Sequence, residues 1–396
     1  MSGTGGAVEL AELVATRRDL HAHPELGYRE HRTAGIVAER LRGLGYGVKT
    51  GVGGTGVVGV LAGTAGAGAA PERHERTVLL RADMDALPIR EANDVAYRSA
   101  TDGVMHACGH DAHVAIGLGV ARRLAAARDA WRGTVKFAFQ PAEEGGNGAD
   151  AMIRDGVLEA PRVDAAFGLH VMNTMPVGTI AVTPGPIMGA VDEFTIRVRG
   201  RGGHAAMPHL AADPVLAAAH VVTALQSLVS RATDPFDHLV VSVTRLDAGD
   251  AFNVIPEEAV LNGTVRSMGG RPYDEAPDRL AAVAGGVAGA LGCTAQVDYE
   301  RKTPATVNDP AMAALVARVA TEIVGTGHVA ADARMLGGED FAFFLQRVPG
   351  CFAWVGSANA VKGYDAPHHS PRFDIDEEAM LIGVELLERV AREYLH

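Results

Sequence analysis

The sequence predicts an α/β fold, a central sheet with helices on both faces, interrupted by a smaller α+β domain. Three observations predict it. Strand-length apolar runs alternate with segments of helical periodicity through residue 171. A Pro/Gly-rich stretch, VTPGPIMG (182–189), then reads as a linker. Beyond it the order becomes strand–helix–strand–strand–helix–strand, that of a split βαβ sandwich.

Each element has its own warrant. Val8, Leu13, Val14 and Leu20 fall at helical spacing within 7–20, and Ile36, Val37, Leu41 and Leu44 within 30–44, where Gly45 is a natural stop. VVGVLAG (57–63) reads as a strand, and TVLLRAD (77–83) as a buried strand ending in an acid. A helix is expected over 114–127. GTVKFAFQ (133–140) is a strand with Val135, Phe137 and Phe139 in alternation, and VDAAFGLHV (163–171) is a strand ending at a histidine. In the insertion, strands are expected at 191–199, 239–246, 258–266 and 294–300, with helices at 213–230 and 274–291. The larger domain resumes with a helix (310–324), the strand CFAWVG (351–356) and a helix (377–394). The domains are therefore 1–186 with 304–396, and 187–303. No internal repeat is visible. The low-complexity stretch AGTAGAGAAPERHER (62–76) reads as a mobile hairpin loop.

Composition excludes several classes. At 396 residues and 47% hydrophobic content, the chain can fill two domains with real cores. A formal net charge of −12 argues against nucleic-acid and anionic-membrane partners, which attract basic patches. Three cysteines do not make a disulfide framework. No apolar run reaches membrane-span length, and the first 25 residues lack the uninterrupted apolar core of a signal peptide. A soluble, cytoplasmic protein is expected.

GVGGTG (51–56) fits G-x-G-x-x-G in form only. Dinucleotide binding needs a helix N-terminus directly after it, and the β-branched VVGVLAG follows instead, so a glycine turn between strands is expected. HACGHDAH (106–113) carries more. Single histidines are usually bland, but potential ligands recur here at strand ends, where open α/β sheets bind ligands. They are Asp83 and Asp85 in RADMDALP, Cys108 and His110, Glu143 and Glu144 in QPAEEGG, His170 in GLHV, and His368 and His369 in APHHSPRF. Cys, His and carboxylate together suit zinc or a similar divalent ion. Cys108 and His110 are too close in sequence to form a structural zinc module alone, and no second Cys pair exists. The site is therefore expected to be catalytic. Adjacent acids such as Glu143 and Glu144 are usually just solvated charge, but beside a metal one can bind it while the other moves a proton.

The motifs HPELGYREHRTA, RADMDALPI, HACGHDAH, QPAEEGGNGA, GLHV, GRGGHAAMPH, NVIPEEAVLNGTVRS, GGEDFAFF and HHSPRFDIDEEA occur in this order. Together they resemble the aminoacylase, hippurate hydrolase and auxin-conjugate amidohydrolase group of the two-metal, glutamate carboxypeptidase-like exopeptidases. The resemblance spans nearly the whole chain. It implies a zinc-exopeptidase-like catalytic domain and an inserted ferredoxin-like lid or dimerisation domain. It implies two divalent ions per chain, drawn from zinc, manganese, cobalt and nickel. Cys108 matches the bridging ligand, His110 and His170 one site, and Glu144 and His369 the other. His369 fits the ligand position better than His368. Glu143 matches the general base. Asp85 matches an aspartate that orients a ligand, and Asp83 stands where the wider family has a ligand histidine.

In relatives, the histidine at His204 comes from the partner subunit and helps hold the reacting carbonyl oxygen. Asn253 and Arg266 match positions that hold the substrate carboxylate, and a planar guanidinium suits that task. His21, His23 and Glu25 are read as structural, and GGEDFAFF (337–344) as an active-site wall. The implied reaction is hydrolysis of an N-acyl-amino acid by a homodimer, releasing a carboxylic acid and a free amino acid. Glu143 takes a proton from water and returns it to the leaving amine. The rivals are a dipeptidase or carboxypeptidase with the same machinery, a catalytically silent conjugate-binding relative, and a structural-metal scaffold. Intact ligand positions disfavour the second of these, and scarce cysteines the third.

Overall fold

Residues 77–83 are buried at every position, as a strand covered on both faces must be. In the computed structural model, which describes residues 4–65 and 75–396, this strand is central to an eight-stranded sheet. It pairs in parallel with Thr134–Gln140 on one side and Ala165–Pro176 on the other. Ala165–Pro176 pairs in parallel with Gly350–Ala358. The hairpin Gly47–Val52/Gly56–Ala62 closes one edge, and the short strands Ile180–Ala181 and Val329–Ala330 extend the other.

Alternation sorts the side chains of the central strand. Val78, Leu80 and Ala82 join a core with residues of helices Thr4–Ala22, His110–Ala126, Pro310–Val324 and Ala379–Leu395. Arg81 serves the opposite face, where it bonds Gln140 and Asp340. The helix Pro310–Val324 spans its expected range, and Asp309 caps it: its carboxylate accepts from the Ala311 and Met312 amides at 2.9 and 3.0 Å, with Pro310 in the first turn.

The chain divides into two compact units, 1–185 with 307–333 and 340–396, and 186–306 with 334–339. The second holds an antiparallel sheet in the order Leu239–Ala248, Glu258–Ser267, Ala190–Arg199, Thr294–Thr303. In chain order that is second, third, first, fourth, the ferredoxin-like arrangement. Helices Pro214–Ser230 and Arg271–Ala290 share a core with it, including Phe194, Ile196, Val198, Val221, Leu225 and Leu280.

Some expectations need adjustment. The helix predicted over 114–127 begins at His110. The stretch read as a linker contains the strand Gly185–Met188. A short helix, Gly148–Arg154, had no sequence signal. GVGGTG forms the hairpin turn, with Gly53 and Gly54 at φ 65° and 101°, and a strand follows it. Of the expected mobile loop, residues 66–74 lie outside the described residues. No helix among the described residues is long and apolar enough to cross a membrane.

A buried ion network ties helix Thr4–Ala22 to the rest of its unit. Arg17 bonds Asp111 at 2.8 Å and Asp374 at 2.7 Å. His21 lies 2.7 Å from Asp111 and 3.2 Å from Glu91. His21 is thus structural, as is Glu25, whose carboxylate accepts from the Arg32 and Thr33 amides at the start of the next helix. Burial alone would raise the pKa of Asp111, but Arg17 and His21 outweigh it and hold it well below the usual range. Removing Arg17 strands buried carboxylates, so Arg17→Ala is expected to cost about 3–5 kcal/mol in denaturant unfolding. The folded pKa of Asp111 lies below its unfolded value of about 3.9. Its contribution is therefore complete above that pH and is lost as pH falls toward the folded value. The wild-type advantage over Arg17→Ala should shrink in that acid window.

Candidate metal centre

The central strands run parallel, but their connections diverge. The chain leaves Thr77–Asp83 for the neighbour on one side, and Ala165–Pro176 for Gly350–Ala358 on the other. Such a switch point opens a crevice at the carboxyl ends of the strands. Asp83 and Asp85, Cys108 and His110, Glu143 and Glu144, His170, and His369 come from these ends or from the segments that follow them.

Cys108 and His110 flank Gly109, which has φ 88° and lies so close to Val171 that a Cβ would sit 2.4 Å from its Cγ2. Only glycine allows this turn. Two of the ligand-type groupings here contain Cys108, each with its donor atoms within 4.8 Å of one another: Cys108 with His110 and His170, and Cys108 with Glu144 and His369. Cys108 belongs to both. Glu143 groups with His110 and Glu144 at the same spacing.

Hydrogen bonds orient these atoms. His110 Nδ1 donates to Asp85, 2.9 Å to its carbonyl and 3.2 Å to its carboxylate, which turns Nε2 into the cluster. His170 Nδ1 donates to the Val171 carbonyl at 2.6 Å, leaving Nε2 3.4 Å from Cys108 Sγ. The Glu144 amide donates to the other oxygen of Asp85 at 3.0 Å. Asp85 thus orients both groupings.

The donor set fits divalent ions. Among the described residues, His110 Nε2 and Glu144 Oε1 are buried without a hydrogen bond. Glu144 Oε1 lies 3.2 Å from His369 Nε2, and this carboxylate raises the pKa of His369. Burial, together with the Glu144 and Glu143 carboxylates, pushes the Cys108 thiol well above its ordinary pKa. A cation would reverse that balance. Burial and neighbouring imidazoles hold His170 well below its ordinary pKa, so its ring is neutral and offers a lone pair.

Three further side chains near the site, His113, Asp83 and His368, have partners. His113 Nδ1 donates to Asp83 at 2.6 Å, and its Nε2 accepts from the Val171 amide at 2.9 Å. Asp83 also receives Arg81 at 2.5 Å, so Arg81 offsets its buried charge. His368 Nε2 donates to the Val171 carbonyl at 2.9 Å, and burial pushes its pKa down to about 4.

The sequence pattern of peptidase family M20/M25/M40 matches residues 79–393. The chain belongs to this family. It is a metal-dependent hydrolase. It is 40% identical over 387 residues to the Arabidopsis thaliana protein named IAA-amino acid hydrolase ILR1-like 4, covering 97% of this chain and 86% of that one. It is 39% identical over 375 residues to thermostable carboxypeptidase 2 of Saccharolobus solfataricus, covering 94% and 92%. Among solved structures, the Bacillus subtilis YXEP protein, described as a dinuclear metal binding peptidase of the M20 family, matches with TM-score 0.84 and 33% identity over 98% of this chain and 99% of that one.

In this M20-family hydrolase, Asp85, Cys108, His110, Glu143, Glu144, His170 and His369 meet in the first unit, whereas His204, Asn253 and Arg266 belong to the second. There His204 and Asn253 are neighbours: Val254 is the pairing partner of His204, and the Ala205 amide donates to the Asn253 carbonyl at 3.1 Å. The Ala206 amide donates to His204 Nδ1 at 3.1 Å, which leaves Nε2 of this exposed ring as the nitrogen able to donate elsewhere. Arg266 Nη1 is buried without a hydrogen bond among the described residues. The supporting roles of Arg81 and His113 escaped the sequence reading. The one available signal was that both lie within quoted motifs.

Proposed function

We propose that this protein hydrolyses the amide bond of N-acyl-amino acids, of acetyl, benzoyl or indoleacetyl type, with two divalent ions per chain. The observation that carries the proposal is the pair of ligand groupings sharing Cys108, with Glu143 beside them. In this reading Cys108, His110 and His170 would hold one ion, and Cys108, Glu144 and His369 the other. Asp85 fixes the ring of His110 and the backbone of Glu144. The likeness to an enzyme named IAA-amino acid hydrolase supports the substrate class, and the likeness to a dinuclear metal binding peptidase supports the ion count.

Bound there, the two ions would supply the Lewis acidity that makes water a nucleophile near neutral pH. Glu143 accepts the proton of the attacking water and delivers it to the leaving amine. His204 Nε2–H donates to the developing oxyanion. Asn253 and Arg266 hold the substrate carboxylate, for which the unpaired Nη1 of Arg266 is a ready donor.

We further propose a catalytic first unit and a second unit that serves as lid and dimerisation domain, in a cytoplasmic homodimer. Leu239–Ala248 is an edge strand of the second unit's sheet, and Val240 and Leu246 are exposed on it. Leu216 and Val229 are exposed on helix Pro214–Ser230. An open edge beside apolar residues is a surface that two-fold pairing would cover. The cysteines are free, which suits a reducing compartment.

The carboxypeptidase relative keeps a second reading in play. Purified protein loaded with zinc, manganese, cobalt or nickel should be offered N-acetyl-, N-benzoyl- and indoleacetyl-amino acids alongside dipeptides. The proposal expects kcat/KM to be highest for an acyl-amino acid, and activity to vanish with chelator and return with metal. Preference for dipeptides favours the peptidase reading. Turnover that survives complete metal removal rejects both.

A further inference from the structure

The segment that carries Glu143 and Glu144 has an uncommon backbone. Ala142 and Asn147 are non-glycine residues at φ 50° and 52°, with Gly145 at 82° between them. Such conformations cost energy and persist only where the surroundings hold them. The holding groups are identifiable. The Glu144 amide donates to Asp85 at 3.0 Å, the Tyr28 hydroxyl to the Gly146 carbonyl at 2.7 Å, and the Ala149 amide to Asp340 at 3.0 Å. At the start of the turn, the Ala142 amide donates to Glu30 Oε1 at 2.8 Å.

Glu30 is fully buried. Its other oxygen accepts from the Thr55 hydroxyl. It sits at the N-cap position of helix His31–Gly43 but makes no capping bond. Glu25 serves the first amides of that helix instead. A buried carboxylate is expensive unless its oxygens are used, and those of Glu30 are used on the hairpin and on the catalytic turn. It lies in HPELGYREHRTA, a motif to which the reaction itself assigns no task.

We propose that Glu30 is a positioning residue for Glu143 and Glu144, which fixes through the Ala142 amide the turn that aims both carboxylates. The inference rests on the two-ion reading above. Glu30 touches neither substrate nor ion. Its influence passes along the backbone from Ala142 to the next two residues.

The test compares Glu30→Ala with Glu30→Gln. Glutamine keeps an oxygen for the Ala142 amide and can donate to the Thr55 hydroxyl. Alanine leaves both groups unpaired. Zn²⁺ affinity is measured by competition with a chromophoric chelator, and kcat and KM with the acyl-amino acid that wild type turns over fastest. Supporting groups of this kind are typically worth about 10–100-fold in metal affinity or activity. Glu30→Ala should lose about that factor in kcat with KM little changed, and should weaken one of two Zn²⁺-binding steps by a similar factor. Glu30→Gln should recover both. If Glu30→Ala does not fold, Glu30→Asp is read in its place, because its shorter reach predicts the same loss. Wild-type affinity and kcat in Glu30→Ala overturn the inference alone, as does a Glu30→Gln variant as impaired as alanine. Wild-type protein that binds no Zn²⁺ overturns the functional reading and this inference with it.

Discussion

Glu143→Gln is expected to lower kcat by at least about 10²–10⁴-fold, the usual worth of a general acid–base group, while ion content stays at the wild-type level. Glutamine preserves shape and cannot carry a proton between water and amine. Glu144→Ala is expected to lose ion as well as rate, because Oε1 of Glu144 converges with His369 and Cys108. The two substitutions, one residue apart, should therefore separate cleanly in metal analysis and steady-state kinetics. Near-full rate in Glu143→Gln would mean that another group is the base.

The sequence made strands and ligand candidates legible, but not their supports. Thr77–Asp83 and Pro310–Val324 coincide with their predicted ranges, the first because an apolar run ends in an acid. Gly148–Arg154 stayed hidden, being too short and glycine-flanked to show a period. The helix at His110 was placed late because its first turn is spent on side-chain partners, with Asp111 bonded to Arg17 and His21. Their place at predicted strand ends brought out Cys108, His110 and Glu144 as candidates, and the family resemblance gave them their expected roles. Neither could bring out Asp340, which bonds Arg81, Gln140 and the Ala149 amide. Contacts between residues so far apart in the chain leave no local pattern. Segment 334–339 likewise joins the second unit without any change in composition.

His204→Ala is expected to be nearly inactive with its ions retained. Under the dimer proposal, the histidine that serves each site is His204 of the partner subunit. Mixing inactive His204→Ala with inactive Glu143→Gln, after dissociation and reassociation, should then restore activity. A mixed dimer has one complete site: the subunit with intact Glu143 receives its histidine from the other. Random pairing makes about half the dimers mixed, so roughly a quarter of wild-type activity should return under two-fold symmetry. If His204 serves its own chain, every site lacks one essential group and nothing returns. No recovery, with mixed dimers confirmed by native mass spectrometry, would reject the cross-subunit role.

The shared position of Cys108 is the core of the account, and elemental analysis of wild type and Cys108→Ala tests it most directly. Both proteins are loaded with one divalent metal, freed of excess by gel filtration and quantified per chain. Wild type is expected to hold two ions per chain, and Cys108→Ala to lose affinity at both sites together, because one sulfur belongs to both groupings. Loss of a single ion, with the other held as tightly as in wild type, would contradict this expectation, as would full occupancy of both sites without the thiol.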